Sequence, residues 1–208
     1  MRKFGYRCCT ALAIVGVLLH GESVACEPPA GFVNPPRPAL APLEELVSHT
    51  EQMDIARGLA VVMQAASRPL QEIIRPTKEL PGVRGTFDLK GPFGTPGSRR
   101  LVCLTDGSLA VEEVLDNAVN PDNRRFRYVV WNYTSRTFRA VDYAVGEFIY
   151  TQPASDKTHV NWTYRFALKN ERGIIDESRF RKSFLERHFA EWMRSVLELK
   201  RSTAEAAP

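Results

Sequence analysis

The region from residue 84 to residue 168 alternates short runs of β-branched and aromatic residues with turn signals, and only one long amphipathic helix follows it. The spacing predicts six strands, at Arg84–Leu89, Arg99–Thr105, Ser108–Leu115, Arg125–Thr134, Asp142–Thr151 and His159–Leu168. Asp106-Gly107 is a strong hairpin signal, because both central positions of that tight turn require positive φ. The short connections predict an antiparallel meander.

One further strand and two short helices are predicted upstream of this region. Val47–Ile55 has the periodicity of a strand. Ala56–Ala66 and Pro69–Glu79 have helical periodicity, with a break around Ser67-Arg68-Pro69. Leu80-Pro81-Gly82 ends the second helix. The sheet is therefore expected to have seven strands, with both short helices after the first.

Asp176–Arg201 has the pattern of one long amphipathic helix with Asp176 as its N-cap. Its apolar stripe consists of Phe180, Phe184, Phe189, Trp192, Met193, Val196 and Leu197. An apolar sheet face must be buried, and this helix is the only long partner that the sequence offers. The predicted fold class is α+β, with one domain over residues 43–203 and a disordered tail at residues 204–208.

The first 25 residues have the three-part pattern of a secretory signal. Three basic residues, Arg2, Lys3 and Arg7, precede an apolar run that is too short to span a bilayer. Small residues follow and end at Ala25, where cleavage is expected. The prediction is an exported protein, periplasmic or secreted, and the alternatives are an uncleaved membrane anchor or a buried helix.

Residues 26–42 hold six prolines, a composition typical of an extended tether rather than a folded segment. The tether begins with Cys26, so the sequence leaves open a lipoprotein anchored to a membrane through lipidated Cys26. Plain secretion is favoured, because Ser23 stands where lipoprotein signals usually carry Leu. A disulfide between Cys26 and Cys103 is an alternative in an oxidising compartment, but the favoured interpretation is a buried free thiol at Cys103.

Charge and ligand spacing exclude several function classes. Without residues 1–25, the basic residues fall from 28 to 25 and the acidic residues from 24 to 23, so the net charge drops from +4 to +2. This balance gives no electrostatic footprint for nucleic acid. His49, His159 and His188 lie in different predicted elements, and the cysteines and histidines have no metal-ligand spacing. We therefore expect a protein that binds neither nucleic acid nor metal and uses no cofactor. We also expect it to be a monomer.

Five segments of the strand region together form a recognisable pattern. They are Leu80-Pro81-Gly82-Val83, Gly97-Ser98-Arg99-Arg100-Leu101-Val102, Asp106-Gly107 with Glu112-Glu113-Val114-Leu115, Phe126-Arg127-Tyr128, and Thr158-His159-Val160-Asn161-Trp162-Thr163-Tyr164. The pattern resembles the START-like (SRPBCC) superfamily, specifically its polyketide cyclase/dehydrase and lipid-transport branch. This resemblance implies a helix-grip fold, in which a curved sheet grips the terminal helix around a cavity. It also implies binding or transfer of lipids, sterols, polyketides, quinones or plant hormones, or cyclase, aromatase or hydrolase activity.

Strand alternation sorts the aromatic residues by face. In the last predicted strand, one face is expected to look into the cavity, and it consists of Val160, Trp162, Tyr164, Phe166 and Leu168. In Arg125–Thr134 both faces are largely apolar, so periodicity does not decide between Tyr128 with Asn132 and Trp131 with Tyr133. A bulge near Trp131 would switch the faces.

Two neighbouring strands carry adjacent like charges, Arg99-Arg100 and Glu112-Glu113. One member of each pair is expected to point inward unless the strand begins later. An inward pair such as Arg100 with Glu113 would be costly to desolvate, so it would serve to orient a ligand. The favoured alternative is a solvated cross-strand pair on the outer face, because charges are rarely buried completely. Asp142 and Glu147 have the same ambiguity.

These arguments select a set of candidate ligand-binding residues, although each aromatic among them is equally typical of a plain core. The set is Arg100, Glu113, Tyr128, Trp131, Asn132, Tyr143, Glu147, Trp162, Tyr164, Phe184 and Trp192. The sequence contains no nucleophile–base–orienter set, so an exported binding or carrier protein for a hydrophobic or aromatic small molecule is favoured. The alternatives are a cyclase or dehydratase that uses acid–base groups of the cavity, and a protein-interaction module that uses the tether and the outer face of the helix.

Overall fold

The computed structural model describes residues 25–169 and 176–207. Seven strands form one antiparallel sheet, with bounds β1 Val47–Ile55, β2 Val83–Lys90, β3 Arg99–Leu104, β4 Leu109–Val119, β5 Asn123–Trp131, β6 Val141–Ala154 and β7 Lys157–Leu168. Their order in the sheet is β1-β7-β6-β5-β4-β3-β2. Strands β2 to β7 therefore form the predicted meander, and β1 pairs with β7 at its far side. The predicted seven-stranded sheet is confirmed.

The two short helices follow β1 as predicted, but they are shorter than the sequence suggested. Helix α1 spans Leu59–Ala66 and helix α2 spans Leu70–Ile73. The first helix starts three residues later than predicted, where the backbone N–H of Leu59 donates to Gln152 Oε1 at 2.6 Å. The second helix ends early because Pro76 disfavours helical backbone at the residue before it. Single 3₁₀ turns lie at Leu43–Glu45 and Arg136–Phe138.

The C-terminal helix, α3, has three consecutive parts. It starts as an α-helix at Glu177–Phe180, continues as a π-helix over Arg181–Phe189 and ends as an α-helix at Ala190–Glu205. Asp176 is the N-cap, as predicted, because its side chain accepts a hydrogen bond from the Ser178 N–H at 2.9 Å. The wide turns of the π-helix bring together side chains five positions apart, such as Phe184 and Phe189, whose ring centroids are 5.6 Å apart.

Helix α3 continues past its predicted end to Glu205. Ala204 is fully buried, and the Glu205 carboxylate accepts a hydrogen bond from the Ala56 N–H at 3.2 Å. Arg57 Nη2 also donates to the carbonyl oxygens of Glu205 and Ala207, at 2.8 and 3.2 Å. These contacts hold residues 204–207 against the segment before α1, where the sequence analysis expected a disordered tail.

The sheet is apolar on both faces. Its inner face packs on α3 and the two short helices, with Trp162, Phe166 and Leu185 among the fully buried side chains. Its outer face carries a second buried cluster, which consists of Leu46, Leu101, Cys103, Val111, Val129, Trp131, Tyr143 and Val145. A sheet of this kind needs a covering layer on each side, and α3 supplies only one of them.

Residues 25–42 supply the second covering layer, and we call them the N-terminal strap. Phe32 and Leu40 are partly buried against the outer cluster. Arg37 forms an ion pair with Glu113 at 2.9 Å, and the backbone N–H of Ala41 donates to the Tyr143 hydroxyl at 2.7 Å. The proline-rich segment expected to be a tether therefore lies against the sheet. Proline suits this position, because a segment without a strand partner needs few backbone donors.

A disulfide between Cys26 and Cys103 fastens the start of the strap to β3, with a Cα–Cα distance of 5.6 Å. The expectation of a buried free thiol at Cys103 is therefore wrong, and the alternative pairing is the one observed. Gly85 in β2 leaves room for the bond, since a Cβ at that position would lie 3.0 Å from the Cys26 Cβ. The disulfide joins positions 77 residues apart in the sequence.

Candidate ligand cavity

A cavity of about 360 Å³ lies between the inner face of the sheet, the two short helices and the C-terminal part of α3. Its walls are largely aromatic and include Phe126, Tyr128, Phe148, Tyr150, Trp162 and Tyr164. A smaller cavity of about 80 Å³ lies beside it and reaches Trp192. The two cavities share Leu70, Ile74, Glu112 and Tyr164 in their linings.

An ion pair between Arg100 and Glu112 lines the larger cavity. The two residues lie directly opposite each other in β3 and β4, and Arg100 Nε is 2.6 Å from Glu112 Oε2. The guanidinium also lies over the Phe93 ring, 3.6 Å from its centroid. An inward Arg–Glu pair is therefore present, but the partner of Arg100 is Glu112 and not Glu113. Glu113 points to the outer face, where it pairs with Arg99 at 2.5 Å.

A tyrosine pair at the centre of the cavity depends on a glycine in β6. Gly146 lies between Tyr128 of β5 and Tyr164 of β7 in the sheet register. A Cβ on Gly146 would lie 2.3 Å from the Tyr128 ring, so only glycine lets this ring cross the strand. The two hydroxyl groups then meet at 2.9 Å, and the Trp162 indole N–H donates to the Tyr128 oxygen at 3.2 Å. The tyrosines share one O–H···O bond, so one O–H remains available to a ligand.

Burial raises the pKa of the Tyr128, Tyr150 and Tyr164 hydroxyls, because an ionised phenolate in this apolar lining would lose its hydration. The nearby Glu112 carboxylate contributes in the same direction to the pKa of Tyr128 and Tyr164. All three groups are therefore neutral at physiological pH. They provide hydrogen-bond donors and acceptors inside the cavity, but no negative charge.

The end of the cavity near α1 and the last turns of α3 is positively charged. Arg124 of β5 faces Tyr150 in the register and places Nη1 3.5 Å from the Met63 sulfur. Lys200 of α3 places Nζ over the Phe148 ring, 5.1 Å from its centroid. Burial lowers the pKa of the Lys200 ammonium to about 8, because the charged form is desolvated there.

Five of the predicted site residues lie at these cavities. The larger cavity is lined by Arg100, Tyr128, Trp162 and Tyr164, and the smaller one by Trp192 and Tyr164. The inward face assigned to β7 agrees with the structure, since Val160, Trp162, Tyr164 and Phe166 are buried while the alternate residues are partly exposed. The clear alternation of this strand was therefore a reliable guide.

The other predicted site residues lie away from both cavities. Those on the outer face are Glu113, Trp131, Tyr143 and Glu147. Glu147 is held there by Arg127 at 2.5 Å and by Arg165 at 3.2 Å. Asn132 is exposed after the end of β5. Phe184 packs among the rings of Phe138, Phe166, Phe180 and Phe189.

The backbone conformation at the end of β5 determines which of its side chains face the cavities. Phe126 and Tyr128 line the larger cavity and Val130 the smaller, whereas Val129 and Trp131 belong to the outer cluster. Asn132 then adopts a positive φ of 56°, which breaks the alternation, and Tyr133 returns to the inner side. A switch of faces, which the sequence left open near Trp131, therefore takes place at Asn132.

Several cavity residues were missed by sequence reasoning, and they include Asn117, Arg124, Phe148, Tyr150 and Lys200. Asn117 follows a register shift between Val114 and Asp116, so simple alternation from Glu112 gives the wrong face. Lys200 could have been found, since it lies four positions after Val196 on the apolar stripe of the helix, where a charged residue is unexpected.

In residues 25–169 and 176–207, no group of three or more His, Cys, Asp or Glu side chains is arranged to hold a metal ion. Within the same ranges, no helix has both the length and the apolar character needed to cross a membrane.

Comparison with known proteins gives matches at the level of structure. No protein-family model matches the sequence, and a search of curated proteins gave no match. Ara h 8.0201 has a TM-score of 0.56 at 12% identity, covering 78% of this chain and 99% of its own. The Zhui aromatase/cyclase from Streptomyces sp. R1128 has a TM-score of 0.56 at 14% identity, with 77% and 94% covered. A norcoclaurine synthase point mutant from Thalictrum flavum, in complex with a transition-state analogue, has a TM-score of 0.51 at 11% identity, with 76% and 95% covered.

All three of these proteins belong to the START-like superfamily. At identities of 11–14%, these structural matches establish a shared fold. They do not establish a shared substrate or activity, which depends on the residues of each site. The resemblance found in the strand segments is confirmed at that level, as is the predicted α+β class. With its seven-stranded antiparallel sheet and long C-terminal helix, the chain has the helix-grip fold of the START-like superfamily.

Proposed function

We propose that the protein is an exported binding protein that carries a hydrophobic or aromatic small molecule in the cavity between the sheet and α3. The observation that carries this proposal is the cavity itself. Its volume of about 360 Å³ is within the range of small-molecule sites. Aromatic walls with a few polar groups, such as the Tyr128–Tyr164 hydroxyl pair, are what orients a bound apolar molecule.

Export is supported by two independent features. The first 25 residues have the pattern of a secretory signal, and the Cys26–Cys103 disulfide is a bond that persists in oxidising compartments. The disulfide also occupies the Cys26 sulfur that lipid attachment would require. We therefore favour a freely diffusing protein of the periplasm or the extracellular medium over a lipid-anchored one.

The proposal is tested by filling the cavity. Ala66 lies at the end of α1 in the cavity lining, whereas Ala60 lies on the exposed side of the same helix. We expect Ala66→Trp to weaken binding of the neutral probe N-phenyl-1-naphthylamine at least about tenfold, because tryptophan occupies the ligand volume. Ala60→Trp is the matched control and should bind like the wild type. Equal fluorescence titrations for both variants would contradict a cavity site.

A second candidate function is a cyclase or dehydratase acting on a polyketide-like substrate, and the inward Arg100–Glu112 pair favours it. Glu112 would take a proton from a carbon between two carbonyl groups. That carbon would attack another carbonyl of the same chain, the new alkoxide would take a proton from the tyrosine pair, and the proton on Glu112 would return to the tyrosinate through solvent. Incubating the wild type and Glu112→Gln with a poly-β-ketone thioester, followed by chromatography with mass spectrometry, tests this, because the ring has the mass of the open chain until water is lost. Product from the wild type alone would support an enzyme, and identical mixtures would support a carrier.

A further inference from the structure

Two cations at one end of the larger cavity lack a counter-charge. Each of the other arginines in the lining has a carboxylate partner: Arg100 pairs with Glu112 at 2.6 Å and Arg68 with Glu72 at 2.6 Å. Among the residues that the structure describes, Arg124 and Lys200 have no such partner. The lining therefore carries a net positive charge that no carboxylate in residues 25–169 or 176–207 neutralises.

The two unpaired cations lie beside neighbouring rings of β6. Arg124 is opposite Tyr150 in the sheet register, and Lys200 lies over Phe148, two residues earlier in the same strand. The rings of Phe148 and Tyr150 stack with centroids 5.6 Å apart. Within the described part of the chain, the Tyr150 hydroxyl has no hydrogen-bond partner. A guanidinium, an ammonium and a phenol O–H thus surround one end of the cavity as available donors.

This arrangement favours one class of ligand over another. A neutral apolar molecule that filled this end would remove water from two uncompensated cations, which is costly. A ligand with an oxyanion group at the same position would instead form charge-assisted hydrogen bonds, which are stronger than neutral ones. The apolar walls formed by Phe126, Trp162 and Tyr164 would hold the rest of such a ligand.

We propose that the cavity is specific for an amphiphilic organic anion, whose acidic group binds to Arg124, Lys200 and Tyr150 and whose aromatic or aliphatic body lies between the sheet and α3. The inference rests on the proposed function, because it names the chemical class of the ligand for the same cavity. It separates this end of the cavity from the Arg100–Glu112 pair, which is neutral as a unit.

Two fluorescent probes with the same ring system test the inference. 1-Anilinonaphthalene-8-sulfonate carries a sulfonate, and N-phenyl-1-naphthylamine lacks it. We expect the anionic probe to bind at least about tenfold more tightly than the neutral one, since charge-assisted hydrogen bonds are stronger than neutral ones. Lys200→Met should weaken the anionic probe about tenfold without weakening the neutral probe, because the variant no longer has that cation to desolvate. Lys200→Glu should reject the anionic probe and keep the neutral one.

The matched control is Lys182→Met, which removes the same charge from the exposed side of the same helix. It should leave the affinities of both probes unchanged, which excludes a nonspecific effect of net charge. If both probes bind the wild type and Lys200→Met weakens them equally or not at all, the anion specificity is overturned while the proposed binding function stands. If neither probe binds the wild type, the proposed function itself fails.

Discussion

Two arginine–glutamate pairs formed by the same two strands have opposite surroundings. Arg99 and Glu113 lie on the outer face of the sheet, and Arg100 and Glu112 lie on the inner face. Both carboxylate residues are only 5% exposed, and both bonds are short, at 2.5 and 2.6 Å. On the outer face the strap adds a second guanidinium, because Arg37 also pairs with Glu113. On the inner face Glu112 borders both cavities.

The difference shows how one sequence pattern serves two purposes. Buried charges are tolerated when they are fully paired, and the outer face meets this condition twice, at Glu113 and at Glu147, each between two arginines. On the inner face, within the described residues, Arg100 and Glu112 pair only with each other, and the cavity lies beside them. We therefore expect changes on the outer face to alter stability with little effect on binding, and changes on the inner face to alter binding.

Removing the disulfide is expected to have the largest effect on stability. The double variant Cys26→Ser with Cys103→Ser should lose about 4 kcal/mol of unfolding free energy, because the bond closes a long loop between positions 77 residues apart. Urea titration of the variant beside the oxidised wild type measures this loss. Binding of N-phenyl-1-naphthylamine should persist wherever the variant is folded. Loss of probe binding by folded protein would contradict the separation of the two faces.

Gly146→Ala is expected to have the next largest effect, and on the inner face. The new Cβ would lie 2.3 Å from the Tyr128 ring, so the ring must move and its bond to Tyr164 must break. We expect a loss of about 2 kcal/mol in stability and at least about tenfold weaker probe binding. Urea titration and fluorescence titration measure the two effects. A variant with unchanged probe affinity would show that the tyrosine pair does not shape the site.

Glu113→Gln and Glu112→Gln compare the two faces directly. Glu113→Gln leaves Arg37 and Arg99 without a counter-charge, so we expect a loss of about 1–2 kcal/mol in stability with unchanged probe binding. Glu112→Gln leaves Arg100 unpaired inside the cavity, so 1-anilinonaphthalene-8-sulfonate should bind more tightly than to the wild type. Parallel urea and probe titrations of both variants are required. A change in probe binding for Glu113→Gln, with unchanged probe binding for Glu112→Gln, would contradict the separate roles of the two faces.

The smallest expected effect is a pH dependence from Lys200. Burial lowers its pKa to about 8, below the unfolded value, so the folded state releases a proton first as pH rises. Charged and titratable groups that face the same cavity are Arg68 with Glu72, Arg100, Glu112, Arg124, Tyr128, Tyr150 and Tyr164. The three tyrosines stay neutral over this range because burial raises their pKa.

Stability should therefore rise with pH above about 8 through Lys200, since the unfolded chain still holds the proton that the folded chain has lost. Urea titrations of the wild type and Lys200→Met at pH 7 and pH 9 measure this. We expect the free energy of unfolding of the variant to exceed that of the wild type by more at pH 7 than at pH 9, because the wild type buries a charge at pH 7. An equal difference at both pH values would contradict the assignment to Lys200.

The contrast between the two faces also explains which features could be predicted from the sequence. The hairpin between β3 and β4 lies where Asp106-Gly107 predicted it, but only Gly107 has a positive φ, 82°, so the turn is not the one that was expected. The Asp176 cap was a local signal that the structure confirms. The inward face of β7 was clear because its opposite face is partly exposed. In β4 and β5 the strap buries the other face as well, so alternation of apolar and polar residues disappears. Which of Glu112 and Glu113 points into the cavity could not be predicted, because the sequence pattern does not show that the strap covers the outer face.

The π-helical segment of α3 determines which side chains enter the cavity, through its length. The number of residues in the segment Arg181–Phe189 determines which way each side chain after Phe189 points around the helix axis. Inserting one further helical residue there would turn the rest of the helix by roughly 100°, and Trp192, Val196 and Lys200 would leave their positions together. A substitution changes the lining by one side chain, whereas such an insertion would replace one whole wall of the binding site.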